Sequence, residues 1–340
     1  MNLKLIKLFK FLLVLAVNLV LFVSFDRLIY HSFFFHPSIG LGFDNYPSNE
    51  RGYFKTSKFD RDGNEIFYID RFNEGDRNYL FQELDENALP LVAVGDSFTY
   101  GQGVYLKDTY IKVLAQRLEL KTERKVIGVN LGQSGKDAAA IFDIVKEDAS
   151  HLKPEIVIYG YVLNDMLIED QSKNIHLMEA GNDLINSRDK FLDQHDEITS
   201  VSLLFKYFKQ LKRKEMITKN TIQHYLDIHD VHKNKVGIEK TLSLIKKMQG
   251  IVTQTGGKFV VVIMPIFFEL EGKYPFESVH NFLVKKLVEM KVDVLDLYPA
   301  FKGYDTKSLW VHPIDQHPNE RAHLIIAEEL EKWLSENLEI

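Results

Sequence analysis

From about residue 88 onward, short apolar runs alternate with longer amphipathic stretches. The runs Leu91–Val94, Lys125–Asn130, Ile156–Tyr161, Phe259–Met264 and Val292–Leu297 read as strands. Several are almost continuously apolar, as expected of strands covered on both faces. Between or after them, Thr109–Leu120, Asp137–Ala149, Glu239–Thr253, Val279–Met290 and Asn319–Leu338 carry helical periodicity. This alternation predicts an α/β fold, a doubly wound parallel sheet with helices on both sides. A charged, mostly helical stretch from about 169 to 237 interrupts the pattern between the third and fourth strands, and reads as an insertion.

The amino terminus follows a different pattern. Lys4, Lys7 and Lys10 precede the apolar run 11–25, which ends at Asp26 and Arg27; with Leu8 and Phe9 counted and Lys10 snorkelling, the run covers residues 8–25. As a helix this run is about 27 Å long, close to the roughly 30 Å hydrocarbon core of a bilayer. No small-x-small cleavage pattern follows it, so a retained single-pass signal anchor is expected rather than a cleaved signal peptide. The lysines precede the run, which puts the remaining chain outside the cytoplasm by the positive-inside rule. Residues 30–35 are rich in aromatics and suit a membrane interface. Phe59–Tyr68 reads as two short strands around a turn containing Asp62 and Gly63. Asp60, Asp62 and Asn64 lack the glycine position and closing glutamate of a calcium loop. The expected organisation is an anchor over 1–27, a linker with a short β segment over 28–87, and one α/β domain over 88–340.

Charge and composition narrow the chemistry. The net charge of −6 offers no global basic field for nucleic acid. The basic run Lys209–Lys214 reads as a solvated helix face. With no cysteine there is no disulfide, thiol nucleophile or cysteine-ligated metal. His224, His229 and His232 fall in a helical-looking stretch and read as surface residues rather than metal ligands, and no cofactor is expected.

Candidate chemistry collects at the ends of strands. The first strand runs into Gly95-Asp96-Ser97-Phe98-Thr99-Tyr100-Gly101, presenting a serine hydroxyl where open α/β sheets bind ligands. The second ends in Asn130-Leu131-Gly132-Gln133-Ser134-Gly135, whose glycines leave backbone N–H groups near a helix start. Asn164 follows the third strand, and its amide can donate to a developing oxyanion. Before the last helix, Asp315-Gln316-His317-Pro318-Asn319 offers an imidazole and a carboxylate. Pro318 suits the start of that helix. His323 is assigned to the helix, His312 to the loop before it, and Trp310 to core packing.

These four segments, in this order, resemble the SGNH/GDSL hydrolases over roughly residues 88–340. The resemblance implies a doubly wound, flavodoxin-like sheet and a two-step acyl transfer on an ester. It implies Ser97 as nucleophile, His317 as general base, and an oxyanion hole of the Ser97 and Gly135 backbone N–H groups with the Asn164 side chain. Gly135 rather than Gly132 fits the family's Asn-x-x-x-Ser-Gly spacing. One position departs from the pattern: the family's Asp-x-x-His would place the acid at Ile314, whereas Asp315 stands two residues before His317. The acid is therefore either Asp315 or a backbone carbonyl. The expected function is an anchored serine esterase outside the cytoplasm. It would act on an O-acylated cell-envelope glycan, a lipid or another small ester. An O-acyltransferase using the same groups and a non-catalytic polysaccharide-assembly factor are the alternatives.

Overall fold

The structure is a computed structural model, and it describes residues 3–29, 32, 44–45, 53–59, 65–71, 87–168, 202–312 and 315–337. Helix α1 (Leu3–Ile29) is long and apolar enough to cross a membrane. Strands β1 (Asp44–Asn45), β2 (Tyr53–Phe59) and β3 (Glu65–Arg71) form a small sheet in that order, with β1 antiparallel to β2. The turn expected between the last two strands, the aromatic residues 30–31 and 33–35, and residues 169–201 of the expected insertion lie outside the described residues.

The main sheet contains β4 (Leu89–Gly95), β5 (Val126–Asn130), β6 (Ile156–Tyr161), β7 (Lys258–Ile263) and β8 (Asp293–Asp296). All neighbours are parallel, in the order β5-β4-β6-β7-β8. The five strands expected from the sequence are all present, with ends shifted by up to two residues. β4 and β6 are buried on both faces, which explains their unbroken apolar runs. After β4 the chain crosses to β5 on one side, and later strands build out from the other. The carboxyl end of β4 is therefore a topological switch point, where a crevice opens.

Helices α2 (Ser97–Tyr100), α3 (Tyr110–Thr122), α4 (Ala138–Glu147), α5 (Leu203–Ile228), α6 (Lys235–Gln254), α7 (Glu277–Glu289), α8 (Tyr298–Phe301) and α9 (Glu320–Asn337) follow in chain order. α3 packs on α9, and α4 on α6, as the two helix layers of the doubly wound plan. The described part of the insertion, residues 202–237, is mostly the long helix α5 and runs into the first turn of α6. α6 starts four residues earlier than its apolar pattern suggests, and Gly237 in its first turn explains why. A Cβ there would lie 2.2 Å from the Leu167 carbonyl oxygen, so close packing against the segment after β6 requires a residue that weakens the helical signal. The described residues fall into two compact units. One contains α1 and α5 up to Thr221; the other contains the parallel sheet, its helices and the rest of α5.

Candidate active site

At the end of β4 the chain turns sharply into α2, and Gly95 makes this possible. A Cβ there would lie 2.2 Å from Thr99 Oγ1 and 2.7 Å from the Gly160 carbonyl oxygen. Asp96 caps the short helix: its Oδ1 accepts the Phe98 N–H at 2.9 Å. Ser97 is thereby the first helical residue, and first-turn N–H groups have no intrahelical acceptor. Thr99 Oγ1 and Tyr110 Oη, both buried, lie 3.1 Å apart and pin α2 to α3.

The Ser97 hydroxyl faces the imidazole delivered from the far end of the chain. Ser97 Oγ lies 2.9 Å from His317 Nε2, and His317 Nδ1 lies 2.5 Å from Asp315 Oδ1. The same carboxylate oxygen accepts the His317 backbone N–H at 3.2 Å. A two-stranded antiparallel ribbon, β9 (Trp310–His312) with β10 (Asp315–Pro318), carries both residues. Side chains two apart on a strand share a face. The Asp-x-His spacing therefore sets carboxylate beside ring, with Gln316 exposed between them. The register slips between Asp315 and Pro318, a bulge of the kind that re-aims strand side chains. His312 is thus the last residue of β9 rather than a loop residue, because it pairs with Asp315. Pro318 ends β10, and Asn319 caps α9 through the Ala322 N–H (3.1 Å) while its amide donates to the Ser308 and Trp310 carbonyls.

The imidazole is also braced by aromatic rings. Phe98 meets His317 edge-on at 5.7 Å and stacks on Phe267 at 5.8 Å. The Trp310 indole N–H donates to the Phe267 carbonyl at 3.0 Å. Trp310 is half-buried against the core, so it both packs and ties the histidine ribbon to the loop after β7. Glu271 in that loop accepts from the backbone N–H and hydroxyl of Thr306, a second tie.

Asn164 sits exposed on a 3-10 turn, Leu163–Asp165, directly after β6. Its Nδ2 donates to Asp96 Oδ2 at 3.0 Å, and the Ser97 hydroxyl lies 3.4 Å from that oxygen. Asp96 thus joins the Asn164 amide to the serine. Burial pushes the Asp96 carboxyl above its ordinary range, opposed by the Asn164, Phe98 and Ser97 hydrogen bonds and the nearby His317. Asp165 fastens the turn itself: its Oδ2 accepts the Val162 N–H (3.1 Å) and the Tyr159 hydroxyl (3.0 Å). Burial, and next the negative charge of Asp96, raise its carboxyl well above the usual value.

Gly135 is exposed, has φ +74, and makes no direct contact with Ser97, Asn164 or His317 among the described interactions. Its neighbour Ser134 donates to Gln102 Oε1 at 3.3 Å, so the loop lies beside the residues that follow α2. The rival glycine, Gly132, donates its N–H to Asn130 Oδ1 at 3.0 Å and is committed to holding the loop. Asn130 also donates to the Thr99 carbonyl at 2.8 Å.

The structure thus joins Ser97, His317 and Asp315 directly, and Asn164 through Asp96. Sequence reasoning missed the bridging role of Asp96 and the turn-fixing role of Asp165. Their only sequence signal is adjacency to Ser97 and Asn164. Of the set-aside histidines, His323 lies in α9, accepting the Tyr110 N–H at 3.2 Å and stacking on that ring. His229, expected at the surface, is buried between Tyr161 Oη (3.1 Å) and the Tyr225 carbonyl (2.7 Å). It faces inward because it lies beyond α5, where the chain folds back against β6. Among the described residues no cluster of three or more His, Asp or Glu is arranged to hold a metal ion.

Comparison with known proteins supplies the context. The crystal structure of TesA is similar over 73% of this chain and 98% of that one, at 12% identity and TM-score 0.44. A catalytic mutant of an acetylxylan esterase from Geobacillus stearothermophilus is similar over 72% and 93%, at 13% identity and TM-score 0.42. An alpha/beta hydrolase enzyme from the metagenome of Lake Arreo, Spain, is similar over 71% and 93%, at 15% identity and TM-score 0.43. No curated protein sequence matches the chain. Residues 91–330, by contrast, match the family described as GDSL-like Lipase/Acylhydrolase, and the chain belongs to that ester-hydrolysing family.

Proposed function

We propose that this protein is a membrane-anchored serine ester hydrolase working through an acyl-enzyme. The observation that carries the reading is the line from Ser97 Oγ to His317 Nε2 (2.9 Å) and from His317 Nδ1 to Asp315 Oδ1 (2.5 Å). Ser97 attacks the ester carbonyl as His317 takes its proton. Asp315 orients the ring and stabilises the imidazolium. The Ser97 N–H, the Gly135 N–H and the Asn164 amide hold the oxyanion. An amide nitrogen carries two hydrogens, so Asn164 can keep one on Asp96 and turn the other to the substrate. The alcohol leaves with the proton from His317, and water then releases the acyl group.

In this reading residues 1–27 form the anchor, 28–87 a linker and 88–340 the hydrolase domain. Lys4, Lys7 and Lys10 support an amino terminus in the cytoplasm and a catalytic domain outside it. The substrate class that suits a tethered enzyme there is an O-acetylated envelope glycan, with a lipid or small ester as the other candidate.

A fluorophosphonate probe tests the nucleophile. The full chain in detergent should be labelled, and Ser97→Ala should abolish labelling. Folded protein that resists the probe would overturn the assignment and favour a non-catalytic assembly role. Assaying acyl release to water against transfer to a sugar acceptor separates hydrolase from acyltransferase.

A further inference from the structure

The carboxyl end of α1 and the amino end of α5 meet. Asp26, buried near the end of α1, accepts the Ser202 hydroxyl at 2.6 Å and the Leu204 N–H at 3.4 Å. The Leu204 amide belongs to the first turn of α5, where N–H groups lack intrahelical partners and a carboxylate is favoured. A basic helix therefore begins where the apolar span ends. From Leu203 to Thr221 it carries Lys206, Lys209, Lys212, Arg213, Lys214 and Lys219 against the single carboxylate of Glu215. That concentration of positive charge stands out in a chain whose net charge is −6. The 3.6-residue period places Lys206, Lys209 and Arg213 on one stripe and Leu204, Phe208 and Leu211 on another. A basic amphipathic helix beside a membrane exit is built for the headgroup layer.

We propose that the first part of α5 lies on the membrane surface and binds the headgroups of anionic phospholipids. The proposal rests on α1 being a retained membrane span. It changes the meaning of the basic run: the sequence alone gives a solvated face, whereas the Asp26 contacts start the helix that carries it at the end of the apolar span. Each Lys or Arg close to an anionic surface strengthens binding about fivefold, so the three-residue stripe contributes on the order of 10². Salt should weaken it.

The absence of native cysteine makes the test direct, because Gln210→Cys gives a unique site for a nitroxide label. The labelled full chain is placed in nanodiscs of phosphatidylcholine alone or mixed with phosphatidylglycerol. Collisional accessibility to a water-soluble nickel complex is then read. Phosphatidylglycerol should lower accessibility by at least about twofold, and high salt should restore it. The triple variant Lys206→Glu/Lys209→Glu/Arg213→Glu should lose the lipid dependence while keeping turnover of a soluble ester, which shows that it folds. Equal accessibility in both lipids, with the chain retained in the discs, overturns the proposal and leaves the anchor standing. A chain that is not retained overturns both.

Discussion

His229 offers a test of the structure in which sign and size are both fixed in advance. Its ring is buried, with Nδ1–H donating to the Tyr225 carbonyl and Nε2 accepting from the Tyr161 hydroxyl. Burial is the dominant cause that pushes its pKa from 6.5 down to about 4. The folded state therefore refuses a proton that the unfolded state accepts between those values. Stability from the neutral ring is fully present above about pH 6.5 and is lost as the pH falls toward about 4. At about 1.4 kcal/mol per tenfold, the whole gap is worth about 3 kcal/mol, of which about 2 kcal/mol is lost between about pH 7 and about pH 4.5. The assay is urea unfolding of the full chain in detergent at those two pH values, followed by Trp310 and Trp333 fluorescence. Both tryptophans belong to the unit containing the parallel sheet, so the signal reports on it. Other groups titrate too, and the comparison with His229→Gln removes them. The variant should be less stable at neutral pH but should lose about 2 kcal/mol less on acidification than the parent. A variant that loses as much as the parent would refute the buried, neutral His229.

The remaining predictions concern the site. Asn164→Ala should lower kcat on a model ester by about 10²–10³, and near-normal turnover would remove Asn164 from the oxyanion hole. Asp315→Asn should lower kcat by up to about 10⁴ through the wrong imidazole tautomer; a small loss would shift the orienting role to a backbone carbonyl. Gly237→Ala should destabilise the fold by about 1–3 kcal/mol, because the new methyl meets the Leu167 carbonyl oxygen at 2.2 Å, and a neutral result would mean α6 can move away freely.

The two departures from simple sequence reading have separate physical causes. The Asp315–His317 spacing looks one residue short when the segment is taken as a turn before a helix. On extended backbone the same two residues share a face, so the carboxylate reaches Nδ1 at 2.5 Å. Whether that segment is strand or turn depends on pairing with Trp310–His312, which local pattern does not reveal. His229 fails for a similar reason. Its neighbours Asp227, Asp230 and Lys233 are polar, and only the partner Tyr161 on β6 explains why the ring is buried.

What the sequence determined by itself is whatever local pattern controls. Near-continuous apolar runs define the parallel strands, because both faces must be covered. Gly-Asp-Ser after β4 marks the turn that lifts Ser97, because only glycine fits beside Thr99 and Gly160. The apolar helix with lysines on one side declares a membrane-compatible span. The tertiary structure decided what depends on residues far apart in the chain. It set His317 against Ser97 across 220 positions, joined Asn164 to Asp96 across 68, and brought Asp26 to the start of α5 across 176. These contacts leave no periodicity in the sequence, because a hydrogen bond across the fold depends on where two backbones end up rather than on the residues beside either partner.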